Sequence, residues 1–205
     1  MAEDRSFAQL VSLACHDLRT PLATVHGFTR TLAGTDLGNP ADMYVELMDS
    51  ASVQLGELLD RLSLVAQVAR GTYAPDVEQT DLAETAQTAA ARVTEGEVAV
   101  TGSGSARVAR ADLERALYDL ARAAVRHGGL AEVSIRIHGA SIEIAPVAAD
   151  VGPILLGENL RDFGAAVAVK AIEALGGSVS AEPERLVVRL DERQAADEAG
   201  APAGS

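Results

Sequence analysis

The apolar positions of this chain form two long helical stripes followed by shorter alternating runs. Over residues 7–33, Phe7, Val11, Ala14, Leu18, Leu22, Val25, Thr29 and Leu32 recur at steps of three and four, which makes one continuous helix face. Gly34-Thr35-Asp36-Leu37-Gly38-Asn39-Pro40 is a turn cluster. A second helix is predicted from Ala41 to Ala69, with Tyr44, Leu47, Met48, Ala51, Leu55, Leu58, Leu59, Leu62, Val65, Ala66 and Val68 on its apolar side and Gly71 as its stop. Two long helices joined by a short turn make an antiparallel hairpin. Both are too apolar to stand alone in water, so two hairpins are expected to pair as a dimeric four-helix bundle.

Beyond Gly71-Thr72-Tyr73-Ala74-Pro75 the elements shorten. A helix is predicted over 81–92 with Thr80 as its N-cap, then strands at 97–101 and 107–109. Gly102-Ser103-Gly104-Ser105 lacks the Lys and the helix start of a phosphate loop, so it reads as a hairpin turn. An amphipathic helix over 112–127 stops at Gly128-Gly129, and strands 132–137 and 141–144 flank a turn at His138-Gly139-Ala140. Residues 146–163 read as irregular, 165–175 as a last helix, and 178–181 with 185–190 as a closing hairpin. The expected fold class is α+β: residues 1–75 as a helical hairpin with a frayed start at 1–5, 76–190 as a small α/β sandwich, and 191–205 as a disordered tail.

Composition narrows the function. The 205 residues are 48% hydrophobic, enough for a core, and carry a formal net charge of −13. That charge argues against nucleic acid, which needs clustered Lys and Arg. The single Cys15 cannot form an internal disulfide and reads as a small apolar helix residue, which fits a reducing cytoplasm. No run is long enough to span a membrane and no signal peptide opens the chain, so the expected partners exclude membrane and nucleic acid. His26, His127 and His138 share no metal-ligand spacing.

His16 is the residue that departs from this bland picture. It lies two positions from Ala14 and two from Leu18, which at helical spacing puts it opposite the apolar stripe. Thr20 shares its face one turn on, Asp17 and Arg19 flank it, and Pro21 removes a backbone donor beside it, which predicts a kink. The string His16-Asp17-Leu18-Arg19-Thr20-Pro21-Leu22 resembles the phospho-accepting box of two-component histidine kinases. The resemblance implies that His16 accepts a phosphoryl group, that Asp17 orients its imidazole, and that Thr20 positions a water for dephosphorylating a partner. Arg19 could hold a phosphate oxygen; a solvated helix arginine is an equal reading. Only fifteen residues precede His16, so any sensory signal is expected from elsewhere.

Thr80-Asp81-Leu82-Ala83-Glu84 resembles the entry to the ATP-binding domain of the same family, and the later order of helices and strands resembles that domain's α/β sandwich. The nucleotide positions have diverged. Where the family has two asparagines on a helix that hold Mg²⁺ against ATP, this chain has Asp119 and Ala123, and a methyl group cannot coordinate a hard cation. Asp150-Val151-Gly152 keeps the Asp and first Gly of the adenine-binding phrase without the second Gly, and the glycine loop before the last helix is reduced to Asp162-Phe163-Gly164. The pattern resembles kinase-derived histidine phosphotransferases, which implies no ATP cofactor, a homodimer, and a response-regulator receiver domain that brings its own Mg²⁺. An autophosphorylating sensor kinase and a non-catalytic dimeric interaction module are the alternatives.

Overall fold

The structure, a computed structural model, describes residues 2–34 and 41–190. The expected turn at 35–40 and the expected disordered tail at 191–205 lie outside the described residues. The chain divides into two compact units between Ala69 and Arg70.

The first unit is a helical hairpin of α1 (Ala2–Gly34) and α2 (Ala41–Ala69). α1 begins at Ala2, not near Phe7, so the expected frayed start is helix. The helices meet along a seam of alternating three- and four-residue steps. On α1 the seam is Val11, Ala14, Leu18, Pro21, Val25, Phe28 and Leu32; on α2 it is Tyr44, Met48, Ala51, Leu55, Leu58, Leu62 and Val65, all buried or half-buried. That period of 3.5 is the coiled-coil repeat, in which the contact line stays fixed while an ideal helix would drift away from it.

The drift explains two corrections. Leu22 and Thr29, read from sequence as seam positions, are exposed, and their neighbours Pro21 and Phe28 take those places. α1 runs unbroken through Pro21. Phe28 stacks on Tyr44 with ring centroids 5.1 Å apart. Counting back along both helices from that pair sets Pro21 level with Ala51, both buried, and His16 level with Gly56.

The second unit is an α/β sandwich. Its elements are β1 (Glu78–Asp81), α3 (Leu82–Ala91), β2 (Glu97–Ser103), β3 (Ser105–Val108), α4 (Arg110–Gly128), β4 (Glu132–His138), β5 (Ser141–Ala145), α5 (Gly152–Leu155), α6 (Phe163–Ala174), β6 (Ser178–Glu182) and β7 (Arg185–Arg189). A five-stranded sheet runs β2-β4-β5-β7-β6, with β2 parallel to β4 and the other neighbours antiparallel. Alternate residues Val133, Ile135 and Ile137 of β4, Ile142 and Ile144 of β5, and Leu186 and Val188 of β7 are buried. They share one core with Leu82 and Ala86 of α3, Leu113, Leu117 and Leu120 of α4, and Ala168 and Ile172 of α6. Ala, Val, Leu and Ile fill this core in place of aromatics.

Two sequence expectations fail here for local reasons. Thr80 is not an N-cap: it sits in β1, buried, and its hydroxyl donates to the Val108 carbonyl at 3.0 Å. Asp81 caps α3 instead, its Oδ1 accepting from the N–H groups of Ala83 at 2.8 Å and Glu84 at 3.0 Å. The Gly-Ser run is not a hairpin turn, because β3 pairs with β1 while β2 pairs with β4. The chain crosses between the two sheets at Gly104, where a Cβ would stand 1.8 Å from the Gly139 carbonyl oxygen. Only glycine permits that approach. Just after α2, the Tyr73 hydroxyl donates to Asp112 Oδ2 at 2.5 Å; burial first, then the neighbouring carboxylate, pushes the phenol's pKa well above its ordinary value.

Gly27 lies on the outer side of α1, exposed, and a Cβ there would meet nothing within 4 Å. Glycine in a helix interior costs about 1 kcal/mol against alanine. Gly27→Ala is therefore expected to raise stability by about that amount, read as a higher midpoint in thermal or urea melts.

Candidate functional site

The seam sets the direction of every side chain in the His16 box. Ala14, Leu18 and Pro21 face α2, so His16 projects the other way, with its side chain 75% exposed. Its Nδ1 lies 3.1 Å from Asp17 Oδ1. A carboxylate offers only acceptor oxygens, so in this pair the proton sits on Nδ1, and the ring nitrogen left with a free lone pair is Nε2. That tautomer leaves the Nε2 lone pair open to solvent on the side away from the backbone. Arg19 and Thr20 are both exposed. Thr20 follows His16 by one helical turn, and its carbonyl accepts the Thr24 hydroxyl at 3.1 Å.

The flanks of the seam differ in character. In an antiparallel pair, the residues one past the same seam row on each helix line one flank. Here they include Leu22, Val45 and Leu59, exposed at 57%, 56% and 58%. Asp17 lies on the other flank, in a row with Thr24 and Thr31 of α1 and Leu47, Gln54 and Arg61 of α2, where Leu47 is the one large apolar side chain, 41% exposed. His16 and Asp17 thus sit away from the flank of Leu22, Val45 and Leu59.

In the second unit, Asp119 and Ala123 lie on the buried side of α4, 4% and 1% exposed. The first turn of α6 packs directly against them. A Cβ at Gly164 would stand 3.0 Å from Asp119 Oδ1 and 3.3 Å from Asp162 Oδ1. Asp162 caps α6, accepting from the Ala165 N–H at 3.0 Å, and its other oxygen lies 3.0 Å from His127 Nε2 at the end of α4. Phe163 and Leu155 are buried beside this cluster. Asp150 is exposed in the turn before α5, and Gly152 is buried with its Cβ position 3.3 Å from Ala181 Cβ. The four residues at the diverged nucleotide positions are therefore split between a closed core and a surface turn.

Residues 8–71 match the family model of the His Kinase A (phospho-acceptor) domain. The first unit is similar to that domain. The chain's fold is that of the Acinetobacter baumannii histidine kinase AdeS, at 16% identity, 86% of this chain, 98% of that chain and a TM-score of 0.60. Weaker likenesses are the ATP-binding domain of PrrB from Mycobacterium tuberculosis (23% identity, 57% of this chain, 98% of that chain, TM-score 0.47) and a bacterial phosphotransferase (17%, 93%, 97%, 0.49). No curated protein matches. Among the described residues no helix is long and apolar enough to cross a membrane, and no group of His, Cys, Asp or Glu has the arrangement of a metal site.

The phospho-acceptor box of His16, Asp17, Arg19 and Thr20 stands together on one helix, as its spacing requires. The His127–Asp162 pair escaped the sequence, because its partners are thirty-five positions apart and nothing local to either points to the other. The one available signal was an Asp immediately before an alanine-rich helix, an N-cap pattern.

Two outcomes follow from this geometry. Ring-nitrogen NMR of His16 should show the neutral imidazole protonated at Nδ1, and Asp17→Ala should shift the population towards the Nε2–H tautomer. Asp162→Ala removes both a cap and the His127 contact, and is expected to cost about 1–2 kcal/mol in urea unfolding.

Proposed function

We propose that this protein is a homodimeric histidine phosphotransferase that takes a phosphoryl group from the aspartate of a response-regulator receiver domain, and does not draw it from ATP. The Nε2 lone pair of His16 attacks phosphorus, the P–O bond to the receiver aspartate breaks, and the carboxylate leaves. The Nδ1 proton stays shared with Asp17, so the positive charge on the ring is neutralised where it develops. Arg19 is placed to meet a phosphate oxygen, and Thr20 to hold a water against the partner's phosphorylated aspartate. Reversal of the same step passes the group to a second receiver. The Mg²⁺ belongs to the receiver's acidic pocket.

The observation that carries this reading is the closure of α6 onto α4. ATP with Mg²⁺ needs oxygen or amide ligands on α4 and a free helix N-terminus beside them. At those places the chain has the Ala123 methyl, the buried Asp119 against Gly164, and an α6 N-terminus already occupied by Asp162. These residues do not fit the nucleotide. The dimer is supported by the flank of Leu22, Val45 and Leu59, which a second hairpin would cover while leaving His16 and Asp17 in solvent. The intact His16-Asp17-Leu18-Arg19-Thr20-Pro21 box also suits an autophosphorylating kinase, which makes ATP the discriminating reagent.

Incubation with labelled ATP and Mg²⁺ should leave the protein unlabelled, whereas a receiver charged by a small-molecule phosphodonor should label it within minutes. His16→Ala should abolish that labelling with folding intact. Labelling from ATP that depends on His16 would establish the kinase. Unchanged receiver signalling in His16→Ala cells would establish a binding module.

A further inference from the structure

The β6 edge of the second unit has features that phosphoryl transfer does not use. β6 ends the sheet, with β7 as its only neighbour. Its hairpin closes on the pair Glu182 and Arg185 around the two-residue loop Pro183-Glu184. Such a closing pair is hydrogen-bonded, so the main-chain groups of Ser178, Ser180 and Glu182 turn to β7 and those of Val179 and Ala181 turn outward. No further main-chain bond among the described residues reaches Val179 or Ala181. An uncovered edge of this kind is a template for another strand.

A cleft of about 330 Å³ opens at the Ala181 end of that edge, between α5 and the hairpin tip. Val147, Pro153 and Leu156 make part of its wall apolar, while Glu158 and Glu184 bring carboxylates to it. Neither carboxylate has an ion pair among the described residues, and no Lys or Arg lines the cleft. Glu182, which also lines it, is already held by Arg185 at 2.6 Å and Arg189 at 3.0 Å. The loop that positions Glu184 is fixed, since its carbonyl accepts the Val147 N–H at 2.8 Å. Main-chain groups beside an apolar, acidic cleft select one kind of occupant: an extended polypeptide with a basic residue and an apolar one.

We propose that β6 accepts an extended basic segment of another protein as a sixth strand, its Lys or Arg set against Glu158 and Glu184 and an adjoining apolar side chain against Val147 and Leu156. The surface is independent of His16 and does not rest on the phosphotransferase reading.

Fluorescence anisotropy with a short labelled peptide alternating arginine and valine tests it on the full-length protein. Saturable binding is expected to weaken by about tenfold or more in the Glu158→Gln/Glu184→Gln protein, whose folding a thermal melt would verify. It should weaken similarly when alternate peptide amides are methylated, which removes strand pairing and leaves charge. Glu97→Gln/Glu132→Gln, at the opposite side of the sheet, and His16→Ala should bind as the parent does. No saturable binding to the parent would overturn the proposal. Equal losses from the two glutamine pairs would overturn it too, because binding would then follow net charge, and so would indifference to amide methylation.

Discussion

The alternation of three- and four-residue steps along α1 and α2 is the constraint on which the exposure of His16 depends. Each helix has only one rotation that keeps its seam in contact over seven positions, and that rotation dictates what faces water. Small side chains hold the contact where it matters: Ala14 is fully buried, and Pro21 lies level with the buried Ala51. With Ala14 and Leu18 committed to the seam, His16 between them has nowhere to point but outward. A shift of one position would turn the imidazole towards a flank. The outward direction of His16 is thus set by packing, and its tautomer by one carboxylate.

The second unit shows the opposite tendency. An α/β sandwich of this layout offers the side of α4 to a ligand only if the segment after β5 stays away from it. Here that segment is short, makes a single helical turn at α5, and brings α6 onto Asp119 and His127. Asp162 then serves two neighbours at once, the α6 N-terminus and the imidazole. Each contact satisfies a group that would otherwise face a ligand. In this reading the unit is a self-filled scaffold, with one of its open features at the β6 edge.

Much of this was legible in the sequence, and the failures are specific. Helix periodicity located both long helices, and the alternating runs located β4, β5 and the closing hairpin, because each of these elements has one buried face. Leu22 and Thr29 were misplaced because a step of three and a step of four both stay on one helix face, and only the strict alternation of the coiled repeat selects Pro21 and Phe28. β1 was missed because its four residues have a single buried side chain, Thr80. The crossing at Gly104 looked like a turn, as close main-chain approach and tight turning call for the same residue type. The acceptor box needed no tertiary contact to be read, since its parts are adjacent. The His127–Asp162 pair was invisible for the converse reason.

The central claim is that the Asp17 contact leaves Nε2 of His16 as the nitrogen that carries phosphate. Phosphorus–nitrogen correlation NMR, on ring-labelled protein charged by a phosphorylated receiver, reads the bonded nitrogen directly. The account predicts a phosphoramidate on Nε2 of His16 with the proton retained on Nδ1. Phosphate on Nδ1, or on any residue other than His16, would contradict it.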